Sequence, residues 1–221
     1  MTLWGGFDAL KAPRARSAPM PESRLLRPFT HPAGWRGRVA GRLLVSVNAS
    51  LYRRAVAALA PHRQEDVLEV GFGPGYGLEL LAVHARSVAG VDPSEVMRRQ
   101  ASRRNAAALR DGRLDLREGA AEHLPWPDGS FDAVLALNNA FLWRPLEAGV
   151  AEVHRVLRPH GRALLGMHAL AVRGQAPPGE RSLAAASARL RTALERAGFR
   201  EVAAEEVGPS GARGLFVRGR R

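Results

Sequence analysis

Apolar positions along the chain change their period near residue 64. From Gly34 to that point they recur at helical spacing. Val39, Leu43, Leu44 and Val47 form one stripe, and Leu51, Ala55, Val56 and Leu59 continue it into a second helix that Pro61 stops. Beyond it, short apolar runs alternate with longer amphipathic ones. Asp66–Val70, Ser87–Val91, Leu114–Arg117, Phe131–Leu137, Gly161–Met167, Glu201–Val207 and Gly214–Arg218 are the predicted strands. Gly75–His84, Ser94–Leu109, Leu146–Leu157 and Arg181–Ala197 are the predicted helices, with Pro159 ending the third and Gly198 capping the last. Short buried strands joined by helices predict an α/β fold with a doubly wound, mostly parallel sheet of seven strands, covered on both faces. The last two strands have only Gly208-Pro-Ser-Gly211 between them, short enough for a hairpin. The final strand is therefore expected to run antiparallel, at the sheet's end. No internal repeat interrupts this pattern.

The pattern divides the chain into three parts. Residues 1–30 carry Pro13, Pro19, Pro21 and Pro28 among scattered arginines and read as a flexible basic tail. Residues 31–63 are a helical cap, and residues 64–221 are the α/β domain. With 221 residues, 46% hydrophobic and 24% charged, the chain suits one domain with an appendage. It has no cysteine, which excludes disulfides, thiolate metal sites and a cysteine nucleophile. No apolar run approaches the roughly 18 residues of a spanning helix, and the basic N-terminus lacks the apolar core of a signal peptide. The expectation is a cytoplasmic protein without a membrane partner.

The net charge of +12 invites a nucleic-acid reading. Its distribution argues against one. Residues 1–63 carry +9, residues 64–166 carry −2, and residues 167–221 carry +5. The candidate motifs lie in the slightly acidic middle. Lys11 is the only lysine, and phosphate binding does not demand arginine so uniformly. A compositional bias explains it better.

In a doubly wound sheet, ligands bind beyond the carboxyl ends of the strands at the switch point. The first strand delivers Glu69-Val-Gly71-Phe-Gly73-Pro-Gly75 to that place. Glycines let the backbone turn tightly and approach a ligand where a Cβ would clash. A dinucleotide fingerprint needs a glycine three positions after Gly73, where Tyr76 stands, and a P-loop needs a lysine that is absent. Asp92 ends the second strand, 21 residues after Gly71, inside Val91-Asp-Pro-Ser94. It is placed to accept two ribose hydroxyls, a role that NAD enzymes share, or simply to make a turn. Ser94 suits the N-cap of the next helix.

Glu69-x-Gly71-x-Gly73-x-Gly75 resembles motif I of class I S-adenosylmethionine (SAM)-dependent methyltransferases. Gly119-Ala-Ala-Glu-His-Leu-Pro-Trp-Pro-Asp-Gly-Ser-Phe-Asp-Ala-Val134 resembles the stretch after strand 3 in small-molecule members. Val156-Leu-Arg-Pro-His-Gly-Arg-Ala-Leu-Leu165 resembles their approach to strand 5. The similarity runs from about residue 31 to the C-terminus. It is most specific between Val67 and Leu165, and points to a bacterial, type 11-like subgroup. It implies a Rossmann-like class I fold, a helical lid at residues 31–63, and SAM as cofactor, leaving as S-adenosylhomocysteine (SAH). The implied cofactor site comprises Glu69, Gly71, Gly73, Gly75, Asp92, Pro93, Ser94, Met97, Ala121, Glu122 and Asn138. SAM has no phosphate; an acid beside the glycine turn suits its ammonium, directly or through water. Ala121 and Glu122 map beside adenine. Met97 packs on the purine or in the core. Asn138 borders the amino-acid moiety and the substrate.

Methyl transfer is an in-line displacement for which the cofactor supplies the electrophile and the protein supplies positioning. A general base is needed only for a protonated acceptor. His168, after strand 5, is the one candidate; it equally suits a plain strand end. Asn48, Tyr52, Phe141 and Trp143 are candidate walls of a substrate pocket, with core packing as the alternative for Tyr52. Asn138-Asn-Ala-Phe141 replaces the Asn/Asp-Pro-Pro-Tyr/Phe sequence of amino-methylating DNA, RNA and glutamine enzymes. No acidic cluster suggests a metal. The expected reaction is methyl transfer to a small-molecule acceptor, acting mainly by positioning. The alternatives are an RNA methyltransferase with a basic arm and a non-catalytic SAM-binding module.

Overall fold

The structure is a computed structural model that describes residues 48–209 and 213–221. The tail at 1–30, the first cap helix with its stripe Val39–Val47, and part of the loop after Gly208 lie outside the described residues. The second cap helix, α1, covers residues 48–59. It buries Leu51, Tyr52, Ala55, Val56 and Leu59, the stripe that its spacing predicts.

The strands follow as β1 (Asp66–Val70), β2 (Ser87–Val91), β3 (Leu114–Arg117), β4 (Phe131–Leu137), β5 (Leu157–His168), β6 (Arg200–Val207) and β7 (Gly214–Arg220). The helices are α2 (Tyr76–His84), α3 (Glu95–Arg104), α4 (Ala106–Arg110), α5 (Leu146–Val156), α6 (Ala169–Gln175) and α7 (Leu183–Arg196). One seven-stranded sheet runs in the order β3-β2-β1-β4-β5-β7-β6. The first five strands pair in parallel, and β7 is antiparallel to both β5 and β6. The last strand is thus antiparallel as expected, but it lies inside the sheet and β6 forms the edge. Burial explains the order. Leu215, Phe216 and Val217 are almost wholly enclosed, whereas Glu201, Glu205 and Glu206 on β6 are exposed charges that an edge strand tolerates.

Alternation along the strands fills two cores. Val67, Ala133, Leu135 and Leu164 face α1 through α4, while Leu68, Val134, Ala136 and Leu165 face α5 through α7. The amino ends of β1 and β4 are tied by charge. Asp66 accepts hydrogen bonds from Arg86, Ser87 and Arg158, and Asp132 accepts from Arg158 and from the Asp66 backbone. Burial opposes the Asp66 carboxylate, but the bonds from Arg86, Ser87 and Arg158 outweigh it and hold its pKa at about 2.

Three of the boundary changes have a local cause. The helix expected over Ser94–Leu109 breaks at Asn105, whose side chain leaves the helix face to donate to the carbonyls of Gly75 and Ala101, each at 3.0 Å. Strand β5 begins at Leu157 rather than Gly161, because Pro159 stops α5 without stopping extended pairing at the start of β4, where Leu157 sits opposite Phe131. Gly75 stands outside α2 as its N-cap, with a left-handed φ of 81°. Helix α6 and the short 3₁₀ turn at Ala140–Leu142 have no counterpart in the sequence pattern. Among the described residues no helix is long and apolar enough to cross a membrane.

Candidate active site

The chain reverses direction across the sheet between β1 and β4, so their carboxyl ends open a crevice. A cavity of about 540 Å³ occupies it. One side is the glycine turn after β1. Gly71 and Gly73 have φ values of +66° and +53°, a region in which a side chain is strained. A Cβ on Gly71 would fall 2.2 Å from Asn139 Nδ2. That amide donates to the carbonyls of Val70 (2.7 Å) and Gly71 (3.1 Å), so Asn139 clamps the turn from β4. A Cβ on Gly75 would strike Ala101 and Asn105, which brings α3 against the turn's far end.

Asp92 faces this turn from the end of β2. Its Oδ2 accepts from the Gly73 N–H at 2.9 Å and its Oδ1 from the Ser94 N–H at 2.8 Å. Burial raises its pKa and those two bonds oppose the rise. Ser94 caps α3 through Met97 N. Pro93, Met97, Ala121 and Glu122 also line the cavity. Glu122 accepts from the Arg144 backbone, joining the loop after β3 to the loop after β4.

Glu69 lies elsewhere. It points to the α1 and α2 side of β1, fully enclosed, and a Cβ on Gly77 would come within 2.3 Å of its Oε1. Neither oxygen has a hydrogen-bond partner. Burial, and then the nearby Asp92 charge, push its pKa well above the usual range. The Tyr52 hydroxyl is pushed up by burial and by both carboxylates, so Tyr52 stays a neutral phenol. Among the described residues five buried side-chain atoms have no partner; Asn139 Oδ1 and Gln175 Oε1 belong to residues lining the crevice, and both Glu69 oxygens lie behind its glycine turn. Folded chains seldom leave such atoms orphaned, so their clustering marks a place built for a polar ligand.

The opposite side of the cavity is apolar, with Leu137, Leu142, Trp143, Leu170 and Ala171. Asn48 and Tyr52 from α1 close its edge. Asn138, at φ +61°, holds this side together. Its Oδ1 accepts from His168 N (2.6 Å), its Nδ2 donates to Asn48 Oδ1 (3.0 Å), and its carbonyl accepts from Gln175 (2.8 Å). His168 ends β5 and caps α6, its Nδ1 accepting from Leu170 N at 3.1 Å. Burial lowers its pKa.

The cavity therefore gathers Gly71, Gly73, Asp92, Pro93, Ser94, Met97, Ala121, Glu122, Asn138, Asn48, Tyr52, Trp143 and His168. Gly75 and Glu69 sit behind the turn. Phe141 faces the core and the Arg189 guanidinium, not the cavity. The sequence reading missed Asn139 and Gln175, since a lone amide carries no periodic or motif signal.

The arrangement is that of an α/β protein with a ligand-sized cavity at the switch point of its sheet. A methyltransferase-domain family matches residues 68–165. The chain is 31% identical over 131 residues to the uncharacterized methyltransferase YdaC of Bacillus subtilis, covering 58% of this chain and 70% of that protein. It is 30% identical over 146 residues to the ubiquinone/menaquinone biosynthesis C-methyltransferase UbiE of Rubrivivax gelatinosus, covering 65% of this chain and 55% of that one. Among solved structures, one from the complex between the Haloferax volcanii Trm112 methyltransferase activator and a methyltransferase aligns with a TM-score of 0.69 at 19% identity, over 83% of this chain and 93% of that chain. That likeness is one of fold. The chain belongs to the class I SAM-dependent methyltransferase family.

Proposed function

We propose that this methyltransferase transfers a methyl group from SAM to a small, apolar acceptor, and that it works by positioning. The observation that carries the reading is the two-sided cavity, with a glycine turn and carboxylates on one side and an apolar wall on the other. SAM supplies the electrophilic methyl group and a neutral leaving group. Gly71 and Gly73 allow close approach of its amino-acid portion, and its ammonium would favour the ionised form of Glu69 behind the turn. Asp92 keeps lone pairs for the ribose hydroxyls while its two backbone bonds fix its orientation. Pro93, Ser94 and Met97 border the nucleoside, and Ala121 with Glu122 reads the adenine edge. Asn138 fixes the junction between cofactor and acceptor. Trp143, Leu142 and Leu170 hold the acceptor and exclude water from the transfer. Helix α1 brings Asn48 and Tyr52 to the cavity edge.

Calorimetric titration of the full chain with SAM and with SAH tests the cofactor half. Absence of binding to the folded chain sinks the proposal. Incubation with methyl-labelled SAM and cell extract tests the acceptor half. A labelled product of low mass is expected, whereas label on RNA would assign the basic N-terminal region to a nucleic-acid arm.

A further inference from the structure

The acceptor wall holds one side chain whose chemistry is determined by its own neighbours. His168 Nδ1 accepts a hydrogen bond from the Leu170 N–H at 3.1 Å. An imidazolium cannot accept at either nitrogen, so the ring is neutral, and its single hydrogen sits on Nε2. No described residue accepts from Nε2. Nor is Nε2 among the side-chain atoms that are shut off from solvent without a partner. The ring lines the cavity beside Leu170, Ala171 and Trp143. It therefore presents an unengaged N–H donor at the apolar half of the cavity, near the amides of Asn138 and Gln175.

The charges around the cavity narrow what that donor can meet. No arginine lines it among the described residues. Among the described lining residues an anionic acceptor would find no cation to compensate its lost hydration. Asp92 and Glu122 line the cofactor side of the cavity, where their remaining lone pairs serve the ribose and adenine readings above, so neither stands opposite an ammonium acceptor in the apolar half. An ammonium would also meet the Nε2–H head-on, donor against donor.

We propose that His168 is a specificity-determining donor rather than a base: its Nε2–H reads an oxygen of the methyl acceptor, and that acceptor is an uncharged apolar molecule bearing a hydroxyl or carbonyl group. The inference rests on the methyltransferase reading of the cavity above. It leaves proton removal to solvent or to the acceptor's own acidity, and it makes no covalent demand on His168.

The test uses the full chain saturated with SAH, so failure to bind SAH, which defeats the functional reading, is seen separately. Nitrogen-15 NMR of the histidines, assigned with His168→Gln, reports the tautomer at pH 7. The expected signal is Nε2–H with an unprotonated Nδ1; an Nδ1–H form or an imidazolium overturns the proposal. Three probes of one shape then ask what the wall accepts: 2-naphthol, 2-naphthoate and 2-naphthylmethylamine. Naphthol should bind best and move the Nε2 resonance. His168→Phe should weaken naphthol by about tenfold, the usual cost of losing one neutral hydrogen bond. His168→Gln, which carries both an acceptor and a donor, should stay within about threefold of the parent. Tighter binding of the amine or the carboxylate overturns the inference. So does an unchanged affinity in His168→Phe, or failure of naphthol to bind the SAH-loaded chain. His168→Phe also removes the cap of α6, so the parent tautomer and the glutamine variant carry the decision if that variant misfolds.

Discussion

At Glu69 the fold and the site pull in opposite directions. The carboxyl group is enclosed, unpartnered and close enough to Asp92 for their charges to repel. A carboxylate whose folded pKa is raised weakens the fold once the pH passes its unfolded value, because the unfolded state ionises more easily. Glu69→Gln removes that conflict. The variant without cofactor should gain about 1 kcal/mol or more in urea unfolding, while its affinity for SAH drops by about tenfold or more for want of a charge opposite the ammonium. A variant that binds SAH as well as the parent would remove Glu69 from the cofactor site. Glu69 was legible as a candidate because it belongs to a spaced motif. Asn139 was not. Its value lies in donating to carbonyls 69 and 68 residues earlier, and nothing local in the chain announces that pairing. His168 was visible as a residue but not as a donor, since its tautomer depends on the Leu170 backbone.

The elements were mostly readable because their apolar periods are strong. Six of the seven strands have bounds within a residue or two of those predicted, and the larger errors fall where a polar contact or a proline decides. Asn105 is the clearest case. An uninterrupted helical pattern ran through it, yet its side chain is worth more at the Gly75 and Ala101 carbonyls than on a helix face. Asn105→Ala should lengthen the helix and loosen the glycine turn. The expected loss is about 1–3 kcal/mol of stability, with weaker SAH binding in the same titration. Replacement without effect on SAH affinity would uncouple α3 from the turn. At the other end of β1, Asp66 couples stability to acid. Its folded pKa is depressed, so its contribution is complete above its unfolded value near 3.8 and is lost as the pH falls through about 2. Partial exposure screens the bonds from Arg86 and Arg158, so about 1–2 kcal/mol should disappear over that window. Thermal melts of the parent and Asp66→Asn at pH 5 and pH 2.5 check this, because the two should converge in acid.

Across the whole molecule, the sheet does two jobs with its two ends. Charged ties hold the amino ends of β1 and β4, and the carboxyl ends are left to glycines, orphaned polar atoms and a cavity. The doubly wound class followed from alternation alone. The place of β7 did not, because a hairpin at the end of a chain can add to a sheet in either order. Only the near-total enclosure of Leu215–Val217 settles it. That order has a consequence for how the chain is made. β5 and β6 leave the ribosome without the strand that pairs with both, and each presents a bare ladder of backbone groups until β7 arrives. A chain cut after Val207 keeps every cofactor-site residue named above, yet it should be trapped as aggregate rather than as a weaker enzyme. Soluble, SAH-binding protein from that truncation would show that the sheet can close without its last strand. The sheet is, in this sense, closed from the inside: until β7 is made, β5 and β6 carry an open seam, and the yield of folded protein should follow how quickly that strand fills it.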